Sequence, residues 1–179
     1  MSEPNQLYLQ VRISPSQLEK FFASTPGPAS EFPDFLEWIA DKRYYGQPFT
    51  SEKLAQIGGN ATAKSWVDSW TARDYPPSIN KYEEETQTWT FALIEFAENY
   101  LYFIDALNAL RRITDFKDID STDHLLIYGY LYDAGSTTAA LQITPHNSRF
   151  LPTAPDEVIA SANQTMDALL QRAGELNSD

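Results

Sequence analysis

Asp115, Asp118, Asp120 and Asp123 lie close together in the chain, and hard divalent cations take several carboxylate oxygens from a single loop. The spacing does not follow a calcium loop. Counted from Asp118, Asp123 stands where the turn needs glycine and Gly129 where a bidentate glutamate belongs. A solvated acidic loop is the simpler reading, with Asp118 and Asp120 available to a partner, and no metal is expected. Glu83, Glu84 and Glu85 form a second run. Adjacent carboxylates raise one another's pKa, which is how acid and base pairs are built. Three consecutive residues cannot all face one pocket, however, so this run reads as solvated charge or as a contact surface for a cationic partner. His124 and His146 flank a predicted hairpin near Asp123 and Ser148, but no G-x-S-x-G turn accompanies them, and they read as ordinary strand-end residues. Neither G-x-x-x-x-G-K-[ST] nor G-x-G-x-x-G occurs, so no nucleotide or other cofactor is expected.

Composition narrows the chemistry further. The 179 residues contain no cysteine and two histidines, which removes thiolate nucleophiles, disulfides and thiolate metal sites. The formal net charge is -12 and the sequence pI about 4.5, disfavouring nucleic acid and anionic membranes as partners and favouring a basic one. The excess is uneven: net charges are -2 over residues 1–60, then -5 over 61–120 and -5 over 121–179. The N-terminus lacks a signal-peptide pattern, and the apolar stretch Tyr100 to Leu110 is interrupted by Asp105 and Asn108. A soluble cytoplasmic protein is expected.

The elements that must position these residues follow from periodicity. Leu7, Leu9, Val11 and Ile13 alternate with polar residues and predict a strand, followed by a helix with Ser14 as cap and Pro15 at its first position. Phe35, Leu36 and Ile39 open a mostly helical region, with Thr50 and Thr62 as caps. Trp89, Phe91 and Leu93 mark a strand over Thr88–Phe96, and Tyr100, Phe103, Ile104, Leu107 and Leu110 a helix. Two strands, His124–Tyr132 and Thr137–Thr144, pair as a hairpin. The chain closes on a helix presenting Ile159, Ala162, Met166 and Leu169. The fold expected for residues 1–179 is a single α+β domain with a mostly antiparallel sheet of about four strands and helices packed on it.

One strand is unusual: alternation places Leu126, Tyr128, Tyr130 and Tyr132 on a common face. Tyrosine has a large apolar body and a polar tip, suiting it either to a layer beneath a helix or to a recognition surface.

The segment Tyr82-Glu83-Glu84-Glu85-Thr86-Gln87-Thr88-Trp89-Thr90-Phe91, continuing through Phe96-Ala97-Glu98-Asn99-Tyr100 to Asn108-Ala109-Leu110-Arg111, resembles bacterial immunity proteins of contact-dependent inhibition and polymorphic toxin systems. That resemblance implies a non-enzymatic protein that neutralises a cognate basic toxin domain by stoichiometric binding. On that reading Glu83, Glu84, Glu85, Asp118, Asp120, Tyr128, Tyr130 and Tyr132 form the contact surface. Two alternatives stand beside it: a small enzyme working through Glu95, Glu98 or Asp105, and an acidic mimic of nucleic acid.

Overall fold

The computed structural model describes residues 4–44, 46–59, 61–74, 76–130 and 136–176. Its centre is a six-stranded antiparallel sheet of β1 (Asn5–Arg12), β4 (Ser78–Glu83), β5 (Thr88–Ala97), β6 (Asp123–Gly129), β7 (Ser136–Thr144) and β8 (Asn147–Phe150). The spatial order is β4-β5-β1-β6-β7-β8. A separate two-stranded ribbon joins β2 (Arg43–Tyr44) to β3 (Gln47–Pro48). The expected sheet of about four strands is therefore too small, because both edge strands were missed. Edges carry less apolar sequence than interior strands: β4 reads Ser-Ile-Asn-Lys-Tyr-Glu and β8 only Asn-Ser-Arg-Phe. The indole N–H of Trp89 on β5 donates to Asn80 Oδ1 on β4 at 2.8 Å, satisfying a buried donor while pinning that polar edge.

Both faces of the sheet are covered. Leu7, Leu9, Val11, Trp89, Phe91, Leu125, Ile127 and Leu141 point to the larger core. Over them pack α1 (Pro15–Ala23), α2 (Asp34–Trp38), α3 (Ser51–Ala55), α4 (Ala63–Thr71) and α5 (Tyr100–Arg111). The opposite face, with Tyr8, Ala92, Ile94, Leu126, Tyr128 and Ala140, lies under α6 (Asp156–Leu176) through Ala162, Met166 and Leu169. Thr50, Thr62 and Asn99 cap α3, α4 and α5 by accepting backbone N–H groups with their side chains. Ser14, expected to cap α1, makes no side-chain cap; its own N–H instead donates to Asp118 Oδ1 at 2.9 Å.

Two buried cations fasten this scaffold. Arg111, at the end of α5, forms a two-pronged ion pair with Asp34 at 2.9 Å on each arm. Its Nε donates to Ser148 Oγ and its Nη2 to Ser148 O, while Phe32, Phe35 and Phe150 surround the guanidinium. Lys117 Nζ donates to Arg12 O, Ser121 Oγ and Asp123 Oδ2 at 2.8, 2.6 and 2.6 Å, so its three N–H bonds are all used. Among the described residues, no helix is long and apolar enough to cross a membrane.

Candidate functional site

The acidic runs named from the sequence meet at one end of the sheet. Glu84–Gln87 is the turn between β4 and β5, and Glu83, Glu84 and Glu85 are all exposed. Gln87 adopts a left-handed conformation, φ 51°, which a non-glycine residue pays for with local strain. Its carbonyl accepts the N–H of Ile13 at 2.9 Å, and the hydroxyl of Tyr82 donates to Ile13 O at 2.9 Å. The turn is thus tied to the end of β1, where Ser14 in turn holds Asp118. Tyr82 sits between the two runs: partial burial raises its pKa, and the charges of Glu84 and Asp118 raise it further. Asp118 is itself drawn both ways. Desolvation pushes its carboxyl up, but hydrogen bonds from Ser14 and the Lys117 ammonium outweigh this and leave it below its usual value. Asp120 is exposed two residues further along the same loop. Asp123, the last of the four aspartates, is committed to Lys117, Ser121 and the Arg12 N–H, so the loop is organised around an internal ammonium.

The tyrosine face is a packed layer. Tyr128 is fully buried beneath α6 and its hydroxyl donates to Asn163 Oδ1 at 3.2 Å; burial drives its pKa well up. Tyr130 is half-buried, and its hydroxyl donates to Asp167. That bond first, then desolvation, pushes its pKa up to about 12. Tyr132 lies outside the described residues. Tyr8, from β1, completes the layer through Ser161 at 3.0 Å.

The two histidines occupy different cavities. His124 lines a cavity of about 260 Å³ with Tyr8, Gln10, Asp123, Glu157 and Ser161, whereas His146 lies near Arg111 and Asp34. His124 Nε2 is buried with no hydrogen-bond partner. Desolvation lowers its pKa, opposed by the charges of Asp123 and Glu157. An NMR titration is therefore expected to give a His124 midpoint below the ordinary histidine value. Because the folded-state pKa is depressed, this residue's contribution to stability is present above the unfolded-state pKa of about 6.5 and declines as pH falls through the folded value. A midpoint at or above the ordinary value would contradict the buried placement.

A cavity of about 690 Å³ opens at the opposite end of the sheet from the acidic turn. Glu95, Glu98 and Asp105, three carboxylates named from the sequence, all line it. Sequence reasoning missed their surroundings. Trp66 and Trp70 of α4 and Phe96 of β5 form the wall, with Trp66 Nε1 donating to Asp105 Oδ2 at 2.8 Å and Trp70 and Phe96 ring centroids 5.0 Å apart. A bulge explains Glu95. Leu7 pairs with Leu93 and Asn5 with Ala97, so Ile94, Glu95 and Phe96 all oppose Gln6, and the extra residues re-aim Glu95 outward between two buried neighbours. The fully buried Gln6 holds this bulge: its Nε2 donates to Ile94 O at 2.8 Å and its Oε1 accepts the Tyr130 N–H at 2.7 Å. The sequence signal was a glutamate within the apolar run over residues 91–97 of β5.

Together the fold and its surfaces define an α+β protein with an antiparallel sheet covered on both faces, an acidic rim at one end and an aromatic, acidic groove at the other. The chain matches no protein-family model, no curated protein and no solved structure.

Proposed function

We propose that this protein neutralises a basic protein partner, a toxin domain, by stoichiometric binding at its acidic end. The observation that carries the reading is the convergence of Glu84, from the Glu83–Glu85 run, and Asp118 on Tyr82, although the two runs are far apart in the chain. Both are exposed; the turn's backbone is fixed by the bond from the Ile13 N–H to Gln87 O, and the Asp118 carboxylate is held by the Ser14 N–H. A negative surface of this kind accelerates encounter with a positive partner and orients it, while tight retention needs additional buried contacts. Tyr82 is the aromatic residue placed to supply one.

Changing Glu83, Glu84 and Glu85 together to lysine is expected to weaken partner binding about tenfold or more at low salt and to flatten its dependence on ionic strength. Titration calorimetry over a salt series checks both quantities. Unchanged affinity across the series would remove the acidic turn from the interface. A second reading, a small carboxylate-dependent enzyme, draws on the shared cavity of Glu95, Glu98 and Asp105. Catalytic turnover lost in Glu95→Gln would favour it over binding without reaction.

A further inference from the structure

We infer that the groove between α4, α5 and the bulged end of β5 is a receptor for an arginine side chain presented on a polypeptide. The inference concerns a surface remote from the acidic turn and does not depend on it.

A guanidinium is held best by a flat aromatic face together with a carboxylate able to accept its paired N–H groups. The groove offers both. Trp66 and Trp70 present indoles, Tyr102 is an exposed aromatic at the rim, and among the described lining residues Glu95, Glu98 and Asp105 carry carboxylates and Arg73 a guanidinium. Charge therefore favours a cationic occupant. The groove's volume, about 690 Å³, falls within the range of sites that enclose small ligands and exceeds what one side chain fills, leaving room for flanking peptide.

The walls are fixed in advance. Asp105 is oriented by the Trp66 indole, and Glu95 is turned outward by a bulge that buried Gln6 locks from behind. A strand bulge maintained by a buried amide, with a carboxylate displayed at its tip, fits a binding wall better than an ordinary strand end. The chain already uses this chemistry internally. Arg111 lies with its guanidinium carbon 4.0 Å from the Phe32 ring centroid while Asp34 accepts both arms at 2.9 Å. Arg112 repeats the arrangement, 4.3 Å from the same ring and 2.8 Å from Glu31. Lysine is the poorer occupant because its ammonium is a strongly hydrated point charge without a flat face to stack on indole.

The test follows the Trp66 indole N–H by NMR while the intact protein is titrated with acetyl-Gly-Arg-Gly-amide. A second titration uses the same peptide carrying citrulline, a neutral side chain of nearly the same shape. The arginine peptide is expected to shift the Trp66 signal saturably, and the citrulline peptide to bind about tenfold more weakly because the charge-assisted bonds are lost. The double change Glu95→Gln and Glu98→Gln, made at two exposed positions, is expected to weaken arginine binding to a similar extent while the remaining spectrum shows an intact fold. Equal binding of the two peptides, equal binding by the double variant, or no saturable shift of Trp66 would each overturn the inference.

Discussion

Asp34→Ala is expected to lower the stability of this protein by about 3 kcal/mol, a loss of roughly 10 °C in Tm for a chain of this size. The reason lies with its partner. The Arg111 side chain is 1% exposed, and its ion pair with Asp34 is what compensates a guanidinium taken out of water. Without the carboxylate, Ser148 still accepts two hydrogen bonds, but the positive charge remains enclosed by Phe32, Phe35 and Phe150. Burial already pulls the Arg111 pKa down, with the Asp34 hydrogen bonds and charge opposing that effect. Arg111→Met, which removes the charge and retains an apolar stem, is expected to cost less than Asp34→Ala. Urea denaturation of the two variants checks the order. If Asp34→Ala were the milder change, the ion pair would not be what anchors α2 and β8 to the end of α5.

Tyr128→Ala is expected to cost about 3–4 kcal/mol, in the range for emptying a buried aromatic site. Tyr128 is 0% exposed and packs among Leu126, Ala140, Met166 and Leu169, so truncation leaves a cavity between the sheet and α6. Tyr128→Phe isolates the hydroxyl, and losing its bond to Asn163 should cost about 1 kcal/mol. Hydrogen exchange provides a second readout, with loss of protection expected first in α6 because that helix packs over this face through Ala162, Met166 and Leu169. A Tyr128→Ala protein as stable as the original would contradict the packed layer.

How much of this was legible in the sequence depends on what each segment buries. The β1 alternation of Leu7, Leu9, Val11 and Ile13 is readable because one side chain in two enters a single core. α5 and α6 are readable for the same reason at helical spacing. β4 and β8 were not, since their ladder bonds depend on a neighbouring strand and not on their own polar residues. The tyrosine face was visible as a face, but its covering helix begins 26 residues beyond Tyr130, and nothing local distinguishes cover from solvent. The acidic residues were individually visible. Their meeting required the β1–β5 register and the Ser14 contact with Asp118, both products of long-range folding. Glu95, Glu98 and Asp105 were named without the tryptophans that give them a setting, because α4 reaches the groove only through tertiary packing. Arg111, at the end of α5, is drawn inward by a carboxylate 77 positions away, which no local pattern around it reveals.

The central claim, stoichiometric binding of a basic protein at the acidic end, is tested most directly by parallel co-purification from the native cell over a salt gradient. One bait is the natural chain and the other carries lysine at Glu83, Glu84 and Glu85. The account predicts that a basic protein is retained by the natural chain at a one-to-one ratio, released by salt, and lost from the charge-reversed bait. Retention of the same proteins by both baits, or of no basic protein by the natural chain, would contradict it.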